Sequence, residues 1–165
     1  MTTKHFSLLA LLAAILAPNL AQAQPWTGAG PTAVVDEQSA GSYSANPQYL
    51  GFSPGAGTGD LIAYFNVTDT TATGNPAWNT LQLGYFDNST SSQVTAKLMQ
   101  LNPCNGNLTT LCTVTSTDSG GTTCSQCTFT AGSVNFNAGF TYYVQVTINR
   151  TSTAVAPKLM GVRIF

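Results

Sequence analysis

The feature that most constrains this chain is its end, residues 140–165. Phe140, Tyr142, Val144, Val146 and Ile148 alternate with Thr141, Tyr143, Gln145, Thr147 and Asn149. Side chains two apart share one face of a strand, so the run describes an extended segment with one apolar and one polar face. After a Thr/Ser/Ala-rich break closed by Pro157 the pattern resumes, with Met160, Val162 and Ile164 on one side and Leu159, Arg163 and Phe165 on the other. The two runs predict a β-hairpin with one buried face.

The same logic extends upstream. Short alternating or apolar runs occupy 32–36, 49–52, 61–67, 78–86, 93–101, 108–117, 122–130 and 133–136, separated by Gly, Pro, Asn and Ser clusters. No stretch keeps a helical apolar period. The expectation is an all-β chain, a single antiparallel β-sandwich, jelly-roll-like rather than immunoglobulin-like, over residues 32–165. Residues 24–31 read as a flexible N-terminal tail. The loop at 53–60 has a G-x-G-x-G spacing but no Lys and no following helix, so it reads as a turn and not as a phosphate cradle.

Residues 1–23 have the form of a signal peptide. Lys4 and His5 precede an apolar core at Leu8–Leu16, and Ala21-Gln22-Ala23 supplies a small-residue cleavage site. The apolar core is too short to span a bilayer. The expected location is secreted, periplasmic or extracellular, with no membrane span.

Charge then excludes whole classes. From residue 24 onward the cations are Lys97, Arg150, Lys158 and Arg163, against Asp36, Glu37, Asp60, Asp69, Asp87 and Asp118. Nothing here forms a basic patch for phosphates, so nucleic acid is not an expected partner. The one histidine, His5, lies in the signal segment, which removes the usual general base and the commonest metal ligand from the rest. No catalytic residue, cofactor or metal is assigned. Asp60 and Asp87-Asn88 are the best Ca²⁺-ligand candidates, but without a spaced acidic motif they read as turn caps.

Cys104, Cys112, Cys124 and Cys127 are an even set in an oxidising compartment, which predicts two disulfides. Pairs Cys104–Cys112 and Cys124–Cys127 are favoured, with Cys112–Cys124 as the rival. A redox Cys124-x-x-Cys127 would want a helix N-terminus and a zinc site an intracellular setting. Among the aromatic residues, Trp26, Tyr43, Tyr49, Trp78, Tyr85 and Tyr143 cannot all be buried. Trp78, beside the Asn75-Pro76 turn, and Tyr85 are the candidate ligand-binding residues, as stacking platforms for a sugar.

The runs V-T-A-K-L, S-V-N-F, Y-Y-V-Q-V and L-M-G-V-R-I, from Gln93 to the end, resemble the C-terminal half of bacterial secreted β-sandwich proteins of jelly-roll-like type. The resemblance implies that fold and no particular functional residue. The expected function is a non-catalytic extracellular binding or surface-structural role, its partner a glycan or a surface protein. Two alternatives stand beside it: a secreted hydrolase using paired carboxylates, and a self-assembling extracellular subunit joined through the final strand at a sheet edge.

Overall fold

A computed structural model describes residues 24–71 and 74–165. The expected signal segment, residues 1–23, lies outside the described residues.

Among the described residues eleven strands form two antiparallel sheets: β1 (Trp26–Ala29), β2 (Val34–Val35), β3 (Tyr43–Asn46), β4 (Tyr49–Phe52), β5 (Gly59–Val67), β6 (Thr80–Phe86), β7 (Ser92–Leu101), β8 (Leu108–Thr115), β9 (Thr122–Thr128), β10 (Thr141–Arg150) and β11 (Lys158–Ile164). The six-stranded sheet runs β3-β4-β11-β6-β9, with β1 also paired to β11; the five-stranded sheet runs β2-β5-β10-β7-β8. From β4 onward the chain crosses between sheets at every connection except β7–β8, and this strand order is that of a jelly roll. The expected fold class is therefore present.

Alternation places the core. Leu61, Ala63, Phe65 and Val67 of β5 and Val144, Val146 and Ile148 of β10 face Leu81, Leu83 and Tyr85 of β6 and Leu159, Val162 and Ile164 of β11. At the N-terminal margin Trp26 sets its ring edge-on against Phe65, with centroids 6.3 Å apart.

Several expectations change here. β10 and β11 do not form a hairpin, because they lie in different sheets. The connection between them is anchored by Arg150. Its buried guanidinium donates to Gly57 O at 3.1 Å, to Val155 O at 3.2 Å and to Ala56 O, and stacks 4.1 Å over the Phe52 ring. These bonds bind the 151–157 loop to the 53–57 loop instead of closing a tight turn. The final strand is not at an edge either: β11 is paired on both sides, to β1 and β4 and to β6. Edge-to-edge assembly through it is excluded.

A bulge between Leu159 and Gly161 shifts the register, so Leu159 joins Val162 and Ile164 on the core face, not Arg163 outside. Gly161 permits it: a Cβ there would sit 2.7 Å from Gly28 O of β1. Residues 24–31 are no loose tail, since Trp26–Ala29 pairs with Gly161–Ile164. Residues 133–136 are not a strand. There the Tyr142 hydroxyl accepts from Asn135 N–H at 2.9 Å and donates to Ser133 O at 3.1 Å, taking backbone groups that a ladder would need. The polar stretch 43–46, unremarkable in sequence, is strand β3.

Cys112 of β8 pairs with Cys127 of β9, with Cα atoms 6.1 Å apart, and links the two sheets. Cys104 and Cys124 are exposed thiols. Both favoured pairings and the rival are thus replaced, and the geometry says why. Cys124 and Cys127 are three apart on one strand and point to opposite faces. Cys104 sits in the turn before β8, whereas Cys112 lies well along it. The observed bridge closes a 15-residue separation, for which loop-closure entropy gives about 3 kcal/mol. Replacing Cys112 and Cys127 together by Ala should lower the melting temperature by roughly 10 °C in calorimetry. Thiol titration of the native protein should find two reactive groups, and an absence of reactive thiols would contradict the pairing.

Candidate functional site

The outer face of the five-stranded sheet carries the residues that alternation turns away from the core. On β5 these are Ile62, Tyr64 and Asn66; on β10, Tyr143, Gln145 and Thr147. Register sets Tyr143 opposite Asn66, Gln145 opposite Tyr64 and Thr147 opposite Ile62. Lys97 and Thr95 of β7 continue the rows beyond Gln145 and Thr147. Tyr64 and Tyr143 are diagonal neighbours, their ring centroids 6.0 Å apart and inclined at 65°. Both are half-buried, so each packs on its neighbours and still meets solvent. Val34, opposite Tyr64 on β2, is 71% exposed and extends the apolar centre.

The result is an apolar patch of Val34, Ile62, Tyr64 and Tyr143 bordered by amides and hydroxyls. Lys97 is the one charge in these central rows. Burial, and then the neighbouring Tyr64, push the Tyr143 phenol above its ordinary range. It stays a neutral hydroxyl, able both to donate and to accept.

The aromatic residues singled out in the sequence lie elsewhere. Trp78 is 1% exposed and Tyr85 0%, so neither is a stacking platform. Trp78 Nε1 donates to Gln24 O at 3.1 Å, which gives its polar edge a partner inside the fold. The Tyr85 hydroxyl meets Ser125 Oγ at 2.9 Å and Thr117 Oγ1 at 3.0 Å and accepts from Thr117 N–H at 3.0 Å. Burial raises its pKa, but the bonds to Ser125 and Thr117 outweigh burial and the net shift is downward. Of the aromatics considered in sequence, Tyr143 does reach the outer face, and Tyr64 was missed. Its signal was parity: Tyr64 stands two residues from Ile62 and opposite in phase to Leu61, Ala63 and Phe65.

The carboxylates are held locally. Asp36 accepts from Gln38 N–H at 3.0 Å, Asp69 from Thr71 N–H at 2.7 Å and Asp60 from Asn149 Nδ2 at 2.6 Å. Asp87 is buried and accepts from Ser92 and Ser116 hydroxyls. Two surface depressions are well defined, one of about 340 Å³ on the outer face of the six-stranded sheet and one of about 450 Å³ beside Arg150. Neither is lined by a carboxylate. Among the described residues no three His, Cys, Asp or Glu side chains are grouped to share a metal ion, and no helix is long and apolar enough to cross a membrane.

No protein-family model matches the chain, and no curated protein matches it. Solved structures similar to it include carbohydrate-binding β-sandwich modules at low identity. One is described as a basis for the promiscuous specificity of such modules, with TM-score 0.46, 8% identity and 88% of this chain covered; the chain spans 58% of that structure's length. A xylan-binding domain from Paenibacillus barcinonensis has TM-score 0.45 and 12% identity over 88% of this chain and 92% of its own. A module in complex with β-1,4-galactotriose has TM-score 0.42 and 9% identity over 87% of this chain and 89% of its own. The jelly-roll assignment rests on the strand order, not on these similarities.

Proposed function

We propose that this protein is a non-catalytic glycan-binding β-sandwich that works outside the cytoplasm, with the outer face of the five-stranded sheet as its site. One observation carries the reading: the Tyr64–Tyr143 pair lies on a sheet face among the amides and hydroxyls of Asn66, Gln145, Thr147 and Thr95, with Val34 and Ile62 beside it. The C–H face of a sugar ring packs on a half-exposed aromatic, and its hydroxyls find donors and acceptors in Gln145, Asn66 and Thr147. A large charge density would compete through its own hydration, and here the rows hold one lysine. The segment at 1–23 and the sheet-to-sheet disulfide support export.

The test is affinity electrophoresis and calorimetry against soluble neutral polysaccharides, xylan and β-1,4-galactan first. Tyr64→Ala and Tyr143→Ala should each weaken binding about tenfold, the loss of a central aromatic contact of roughly 1.4 kcal/mol. Both variants should keep the parent melting temperature within a few degrees, since the residues lie outside the core. Binding that survives both substitutions would remove the site. No binding to any neutral glycan, with mass that rises with concentration and falls on Val34→Asp, would assign the patch to self-assembly instead.

A further inference from the structure

The outer face of the other sheet holds a second feature that the tyrosine patch does not use. The 340 Å³ depression crosses β1, β11, β6 and β9, with Gly84 and Gly161 as its floor and Ala29, Met160, Cys124 and Arg163 around it. Two of these glycines have different reasons. Gly161 is demanded by the fold, because a Cβ there would strike Gly28 O at 2.7 Å. Gly84 is not: a Cβ would lie 3.6 Å from Gly161 O, 3.7 Å from Met160 Cβ and 3.8 Å from Cys124 Sγ, all ordinary contacts. Glycine inside a strand weakens it, and where packing does not require it the usual reason is close approach by something else.

Charge indicates what approaches. None of the strands β1, β3, β4, β6, β9 and β11 contains an Asp or Glu. Their only cations, Lys158 and Arg163, stand at opposite ends of β11. Each is braced on aromatic rings: Lys158 Nζ lies 4.5 Å from the Tyr49 centroid and 5.2 Å from that of Phe86, and Arg163 Cζ 4.8 Å from that of Phe165. Five strand steps separate the two cations, about 15 Å. Neither has a carboxylate partner among the described residues' strands of this sheet. The glycine floor lies between them along β11; Arg163 lines the depression and Lys158 stands beyond its end.

We infer that this groove is a second, separate binding site, and that it takes an acidic polysaccharide with uronate carboxylates spaced to reach Lys158 and Arg163. Flat rings settle on a floor without side chains, while Thr27 and Gln82 at the margin offer hydrogen bonds. An extended acidic peptide fits less well, because it seeks a free strand edge, and β11 and β6, which carry the glycine floor, are paired on both sides; of the strands the depression crosses, only the outer β1 and β9 keep an edge.

Cys124 is a built-in reporter. The thiol lines the groove, whereas Cys104, also exposed, lies in the turn before β8 of the opposite sheet. With polygalacturonate as probe, alkylation of Cys124 by iodoacetamide should slow at least fivefold while Cys104 is unaffected, as read by peptide mass spectrometry. Gly84→Ala should abolish the protection without lowering the melting temperature, and Lys158→Ala/Arg163→Ala should abolish it and the salt dependence of binding. Tyr64→Ala should leave it intact, which separates this site from the tyrosine patch. No protection by polygalacturonate, or retained protection in Gly84→Ala, would overturn the inference. Equal protection by a neutral galactan would overturn the role of the cations, and equal protection by polyglutamate the assignment to sugars.

Discussion

Trp78→Ala is expected to cost about 3–5 kcal/mol, the range for deleting a fully buried large aromatic. In a domain of this size that is a fall in melting temperature on the order of 10 °C. The indole is enclosed at 1% exposure, and its N–H reaches the carbonyl of Gln24 at 3.1 Å. The same carbonyl accepts from Thr70 Oγ1 at 2.7 Å. Trp78 therefore fills volume and also fixes where the chain enters β1. Trp78→Phe keeps most of the apolar volume and loses the hydrogen bond, so it should cost only about 1–2 kcal/mol. Urea unfolding of both variants, with glycan binding measured where each is still folded, is the check. A Trp78→Ala protein of parent stability that had selectively lost sugar binding would restore the stacking role expected from sequence.

Asp87→Ala is the second large effect, at about 3 kcal/mol. The carboxylate is 2% exposed and follows β6 in one sheet, yet it accepts from Ser92 at the start of β7 and from Ser116 just past β8 in the other. It holds together three strand ends that hydrophobic contact alone would leave to slide. The two serines do not suffer equally when it is removed. Ser92 Oγ already has an alternative acceptor, Ser89 O at 3.1 Å. Ser116 Oγ accepts from Val94 N–H at 2.8 Å, and Asp87 is the acceptor for its own proton. A double-mutant cycle should thus find more coupling for Asp87 with Ser116 than with Ser92. Asp87→Asn keeps an acceptor oxygen and should cost less than the alanine variant. An Asp87→Ala protein that melts with the parent would contradict this account.

The sheets were legible where alternation was clean. β5, β7 and β10 face the core as their period dictates, and the polar phase assigned to Tyr143 is the phase that puts it in the candidate site. What period two cannot say is which sheet a strand joins. β10 and β11 look like one hairpin because each has an apolar face, and only the anchoring of Arg150 to the 53–57 loop shows the crossing. The bulge at Met160 is invisible for the same reason: one added residue changes phase without changing composition. Trp78 misled because a neighbouring Asn-Pro turn marks a loop, and a loop can still fold its aromatic inward. The cysteines misled because nearness along a strand is not nearness in space. The glycine-floored groove had no local signature, since Gly84 and Gly161 come together only through the β6–β11 register.

The placement of β10 and β11 has a kinetic consequence. Each is the middle strand of its sheet, joined on one hand to β5 and β7 and on the other to β1, β4 and β6. They are also the last two strands of this fold in chain order. Before residue 141 is available the β2–β5, β3–β4, β6–β9 and β7–β8 pairs can form, but neither sheet can join its two halves. Completion of the sandwich waits on distant pairings, which makes folding slow for the chain's size. A polypeptide built this way keeps each sheet in two separate halves until its middle strand is in place.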